Sequence, residues 1–119
     1  MLFLLFAWFS GAETEKGIRL VTQEGKKLTV LNDPSAKNAF LLDSPKNSVM
    51  LWEQNNNKSL TQIAFRKIKN DAMSETIWID NSDNATNVTG LIFDNQLVTA
   101  YEVKQANKRN SIKISTVSL

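Results

Sequence analysis

The chain has no cysteine and no histidine among its 119 residues. Thiolate and imidazole chemistry are excluded together: no disulfide, no zinc site of Cys and His ligands, no Ser-His-Asp triad, no cysteine nucleophile and no lipid anchor on a cysteine. A dense basic face is lacking as well. The 14 Lys and Arg against 12 Asp and Glu leave a formal charge of +2. The cations are scattered among acids from Lys16 to Lys113, with only Arg66, Lys67 and Lys69, or Lys108 and Arg109, close together. Binding a phosphate backbone needs a concentrated patch or stacking aromatics beside it, so no nucleic-acid partner is expected. No residue set calls for a metal or another cofactor. What remains, 42% hydrophobic and 22% charged, is the balance of one folded domain.

The N-terminus carries an uninterrupted apolar run from Met1 to Phe9, followed by Ser10, Gly11 and Ala12 before the first charge at Glu13. Small residues at Ser10 and Ala12 suit the two positions that a signal peptidase reads, although no Lys or Arg precedes the run. The expectation is a signal peptide over residues 1–12, a mature chain over 13–119, and a secreted or periplasmic location. The competing reading is a buried first strand or helix. A helical membrane span takes roughly 20 apolar residues, so no stable span is expected after cleavage.

Further along, VMLWEQNNNKSLTQIAFRKI from Val49 is echoed by VTAYEVKQANKRNSIKISTV from Val98, an offset of 49 residues. At that offset Lys27–Ile68 lies on Thr76–Val117 without a gap. Asn32/Asn81, Ala36/Ala85, Asn38/Asn87, Leu42/Leu91, Val49/Val98, Glu53/Glu102 and Ile63/Ile112 are identical, and Leu28/Ile77, Val30/Ile79, Phe65/Ile114, Ile68/Val117 and Trp52/Tyr101 keep their character. Repeats of about 40 to 50 residues mark propeller blades or helical arrays. The period decides for strands. Val49, Leu51 and Glu53 fall on one face with Met50 and Trp52 on the other, and Ile63 and Phe65 alternate with Ala64 and Arg66. Turn-forming stretches such as NDPSAKN, DSPKN, QNNNKSLT, NSDNATN and VKQANKRN separate the segments. Each unit reads as four strands, near 39–43, 48–53, 62–68 and 76–80. Ile18–Thr22 and Lys27–Leu31 close a partial unit before it, and Val88–Val117 supplies three strands after it. A unit with one apolar face needs a neighbour to cover it, which accounts for the second copy.

These residues resemble the BNR, or Asp-box, repeats of sialidase-like β-propellers. VMLWEQ matches the strand that ends in an aromatic and an acid at Trp52 and Glu53, IAFRKI the Ile-x-aromatic-Arg strand at Ile63, Phe65 and Arg66, and IWIDNSDNATN the Asn-rich connection. The box itself is degenerate: KNDAMSETIW keeps Asp71, Thr76 and Trp78 without glycine, and TQEGKKL keeps Glu24 and Gly25. The resemblance implies an all-β fold of consecutive four-stranded antiparallel blades forming an incomplete propeller of about two and a quarter units, since a closed ring takes four or more. An open stack would leave edges and apolar faces that invite self-association.

The resemblance also implies sialidase chemistry, in which three arginines hold a carboxylate and a tyrosine nucleophile pairs with a glutamate. The chain has Arg19, Arg66, Arg109 and Tyr101. Arg66 and Arg19 occupy strand slots, Arg109 a loop, and Tyr101 the packing slot of Trp52 with Glu102 on the opposite face, so no catalytic residue is expected. Glu53 and Glu102 are a second candidate, as a glycosidase carboxyl pair about 5 to 9 Å apart. An acid ending the same strand twice more ordinarily meets a loop amide or a lysine. Asp80–Asn84 places oxygens like a calcium loop but lacks the central glycine and terminal glutamate, and reads as a solvated connection. Asn57, Asn84 and Asn87 head glycosylation sequons, which have meaning only in a eukaryotic secretory route. Of the tryptophans, Trp8 belongs to the N-terminal run and Trp52 to the core. Trp78 beside Asn81 and Asn84 is a candidate sugar-stacking platform.

Three functions follow as expectations: an exported non-catalytic interaction module with a glycan or protein ligand, part of a sialidase-like glycoside hydrolase whose other blades lie elsewhere, or a small secreted structural β-sandwich.

Overall fold

The structure is a computed structural model that describes residues 3–4, 17–22, 25–69 and 72–119. Ser10, Gly11 and Ala12 of the expected cleavage site, Trp8, Glu24 and Asp71 lie outside the described residues. Among the described residues the chain is all β, with no helix. The strands are β1 (Phe3–Leu4), β2 (Ile18–Thr22), β3 (Lys27–Leu31), β4 (Lys37–Asp43), β5 (Ser48–Asn55), β6 (Thr61–Lys69), β7 (Ala72–Met73), β8 (Ile77–Trp78), β9 (Ala85–Phe93), β10 (Gln96–Val103) and β11 (Ser111–Ser118). They form three antiparallel sheets: β1-β2-β3; β4-β5-β6 with both β7 and β8 on the far edge of β6; and β9-β10-β11.

The expectation of four-stranded blades is met only in its coarser form, as antiparallel sheets. The middle sheet holds five strands because the segment read as 76–80 shortens to β8 against Ala64 and Phe65. The remaining edge of β6, at Ile68 and Lys69, is taken by β7. The flanking sheets have three strands each.

Two apolar layers hold the sheets together. Ile18, Leu20, Leu28 and Val30 of the first sheet pack with Met50, Trp52, Ala64 and Ile68 of the middle sheet. Val49, Leu51, Ile63 and Phe65, on the opposite face of that middle sheet, pack with Leu97, Tyr101, Val103, Ala85 and Val88 of the third. Both faces of β5 are therefore covered, and the consecutive apolar run Val49–Trp52 is buried throughout. In β10 only every second residue is buried, because one face alone has a neighbour. Gly90 marks how closely the layers approach: a Cβ there would sit 3.0 Å from Leu51 Cδ2 and 3.4 Å from Leu42 Cδ1.

The hydrogen-bond register of the middle sheet recurs in the third at the sequence offset. Leu42 faces Val49 as Leu91 faces Val98, Trp52 faces Ala64 as Tyr101 faces Lys113, and Gln54 faces Gln62 as Val103 faces Ser111. The irregularity recurs too. The β4–β5 ladder slips between Lys37 and Phe40, and the β9–β10 ladder slips between Thr86 and Thr89. Asn38 and Asn87 sit at these bulges with φ of 52° and 54°. Asparagine tolerates this left-handed region better than most residues because its carboxamide bonds locally. Among the described residues, six of the eight non-glycine residues with positive φ are asparagines, namely Asn38, Asn81, Asn84, Asn87, Asn95 and Asn107. In a chain with only four glycines, asparagine takes over much of the turn-making.

In the first sheet Arg19 faces Thr29 and Leu20 faces Leu28, as Ala64 faces Trp78 and Phe65 faces Ile77. Arg19 is thus the counterpart of Ala64 rather than of Arg66, two residues further along β6. β1 pairs with β2 through Phe3–Thr22 and Leu4–Val21, on the edge of β2 that corresponds to the edge of β6 holding β5.

Candidate functional site

Glu53 is fully buried where the middle sheet meets the third. Its Oε2 accepts from Asn38 Nδ2 at 2.8 Å and from the backbone N–H of Val88 at 3.2 Å, and its Oε1 accepts from the Thr86 hydroxyl at 3.4 Å. One carboxyl group therefore fastens the bulge of its own sheet and latches the first strand of the next. The acid at the end of this strand meets a backbone amide within β9 rather than the loop amide or lysine expected, and its role is packing. Glu102 keeps half of the arrangement: it accepts from Asn87 Nδ2 at 2.5 Å, and among the described residues no backbone N–H reaches it. The third sheet lies between the two carboxyl groups, with Glu53 under its inner face and Glu102 on its outer one.

That outer face is the most unusual surface of the molecule. Leu91 (53% exposed), Phe93 (68%), Ile112 (75%) and Ile114 (72%) are the large hydrophobic side chains that stand exposed among the described residues. All four point the same way. By register, Leu91, Phe93, Val98, Ala100, Ile112 and Ile114 share the face of β9-β10-β11 turned away from the core. Ile112 and Ile114 occupy the places that Ile63 and Phe65 hold in the middle sheet, where both are fully buried under the third sheet. The third sheet thus repeats a receiving face and leaves it uncovered.

The catalytic constellation of a sialidase is not assembled by the described residues. Arg19 donates from Nη1 to the carbonyl of Leu31 and from Nη2 to Asn32, which ties its own sheet together. Arg66 Nε donates to Thr76 Oγ1, and Arg109 lies in the exposed β10–β11 loop. The Tyr101 hydroxyl bonds Ser115 Oγ at 2.8 Å and its ring packs on the middle sheet, so Glu102 stands on the other side of the strand. Trp52 is equally a core residue. Its Nε1 donates to Gln54 Oε1 at 2.7 Å, and Gln54 in turn donates to Asp33. Phe65 lies in the core between the middle and third sheets.

Trp78 is half-buried against the first core layer and lines a surface depression of about 290 Å³ with Asn56, Asn57 and Gln62. Asn84 opens instead on a depression of about 160 Å³ with Lys37, Thr61, Thr86 and Lys104. Asn81 is exposed in the turn between them. Of the expected platform, Trp78 and Asn84 line different depressions, and Asn81 lines neither of these two. In the Asp80–Asn84 turn, Asp83 accepts from Asn56 Nδ2 and pairs with Lys58 Nζ at 3.1 Å. No group of three or more acidic ligands gathers among the described residues, and no described helix is long and apolar enough to cross a membrane.

Among buried polar groups, Thr99 Oγ1 on the inner face of the third sheet has no hydrogen-bond partner. A buried hydroxyl left unpaired costs about 1 to 3 kcal/mol, and valine has the same shape. Thr99→Val is expected to raise stability by about 1 kcal/mol, read as a higher urea midpoint at constant slope.

These features define a class, a stack of antiparallel sheets with one receiving face left open. Compared with protein-family models, with curated proteins and with solved structures, the chain gives no match. Sequence reasoning undervalued Ile112 and Ile114, whose signal was their alignment with Ile63 and Phe65 in the repeat.

Proposed function

We propose that the chain is a non-catalytic interaction module of incomplete-propeller build, whose docking surface is the outer face of β9-β10-β11. The observation that carries this reading is the uncovered set of Leu91, Phe93, Ile112 and Ile114 at positions equivalent to a face that is covered inside the same molecule. Monomeric soluble proteins seldom leave contiguous apolar faces of this kind, and those that do use them to bind. The recurring register, bulge and Asn–Glu bond support the propeller-like, BNR-type build. The sialidase-like reading brings no catalytic residue with it. An anilinonaphthalene sulfonate titration tests the surface. The dye is expected to bind the native chain and to lose most of its fluorescence when Ile112→Thr and Ile114→Thr are combined, with unchanged far-ultraviolet circular dichroism. Equal dye binding by both proteins would contradict the reading, as would turnover of an aryl sialoside by the purified chain.

A glycan ligand is a second reading, favoured by Trp78 beside Asn56, Asn57 and Gln62, an aromatic surface with amides around it. Export to a secreted or periplasmic location belongs to the same proposal and rests on Ser10 and Ala12 behind the apolar run. Removal of residues 1–12 would take β1 from the first sheet, so the intact mass of the mature chain reports directly on the state of that edge.

A further inference from the structure

We infer that the open face of β9-β10-β11 is covered by the same face of a second copy of this chain, in a two-fold symmetric sheet-on-sheet dimer; the inference rests on the docking surface proposed above and names its occupant. The internal repeat shows what such a face accepts. Its equivalent on the middle sheet, formed by Leu42, Val49, Leu51, Ile63 and Phe65, is covered by another β-sheet through alternating apolar side chains, with Leu97, Tyr101 and Val103 contributed by the neighbour. The occupant is therefore an apolar sheet face packed about 10 Å away.

Among the described residues only one such face is free. The exposed large hydrophobics among the described residues all lie on β9-β10-β11. The outermost sheet at the other end of the stack turns Lys27 and Thr29 outward, both exposed and alternating with buried Leu28 and Val30. Head-to-tail stacking would set Ile112 and Ile114 against that lysine and threonine, burying a charge without a partner. Packing the face on itself matches apolar rows with apolar rows, and a self-complementary patch closes after two copies rather than growing into a fibre. Glu102, held by Asn87, lies beside Ile112 at one end of the face, where its free oxygen can stay at the rim in water.

Sedimentation equilibrium of the full chain tests this. The native chain is expected to sediment as a dimer at micromolar concentration, and Ile114→Lys is expected to weaken association roughly a hundredfold or more, as for a central interface anchor. Thr29→Lys on the first sheet is expected to leave the dimer intact. The Ile112→Thr and Ile114→Thr pair, which keeps β-forming residues, serves should the lysine variant fail to fold, and is expected to be monomeric. Open-ended assembly that Thr29→Lys suppresses would overturn the inference in favour of head-to-tail stacking. A native chain that stays monomeric near millimolar concentration yet binds the apolar dye through Ile112 and Ile114 would overturn the second-copy occupant while leaving the docking surface standing. A monomer that binds no dye would remove both.

Discussion

Glu53→Ala is expected to cost about 1 to 3 kcal/mol of folding stability, and Glu102→Ala less than about 1 kcal/mol. The two residues are the same position of the repeat and make the same bond to an asparagine at a bulge. They differ in what lies over them. Removing the Glu53 carboxyl leaves the buried Val88 N–H without an acceptor, which costs about 1 to 3 kcal/mol, and it also frees the half-buried Thr86 hydroxyl and the exposed Asn38 carboxamide. Removing the Glu102 carboxyl releases one carboxamide of an exposed residue into water. Urea denaturation at matched slope measures the difference between the two variants. Equal losses would mean that the third sheet is not latched through Glu53.

Phe65→Ala is expected to cost about 3 to 5 kcal/mol, as for other large-to-alanine changes in packed cores. Ile114→Ala, one repeat later, is expected to change the stability of the monomer by no more than about 0.5 kcal/mol, as for other surface sites. Phe65 is fully buried between two sheets whereas Ile114 is 72% exposed, so the same slot has opposite energetic weight. The measurement belongs below the association range of the chain, because binding adds its own free energy to apparent stability.

Much of this was legible in the sequence at the level of single strands. The alternation of Val49, Leu51 and Glu53 with Met50 and Trp52 assigns each to its face, and the offset of 49 carries that assignment to β10. Ile18–Thr22 and Lys27–Leu31 are strands with the bounds read from the sequence. What stayed hidden depends on contacts between sheets. Glu53 reads as the end of a strand, and only the arrival of Val88 from a distant segment reveals it as a latch. Asn81 and Asn84 read as sugar ligands beside Trp78, yet their backbones have φ of 60° and 64°, which explains asparagine there by turn geometry alone. The shortening of the strand expected near 76–80 to β8, and the added pairing of β7, depend on how β6 shares its edge, which hydrophobic pattern does not encode. An open stack is expected to leave apolar faces, but nothing in the local pattern marks Ile112 and Ile114 as forming one, because in IKIS they look like any half-buried strand.

The most direct test of the account is a set of nuclear Overhauser measurements on methyl-labelled protein, run on one sample of uniform labelling and one of mixed labelled and unlabelled chains. The account predicts cross-peaks within one chain between the side chains of Val49, Leu51 and Ile63 and those of Leu97 and Val103, and none linking Ile112 or Ile114 to β5 or β6. Cross-peaks from Ile112 and Ile114 to the middle sheet of their own chain, or the absence of contact between Leu97 and that sheet, would contradict it.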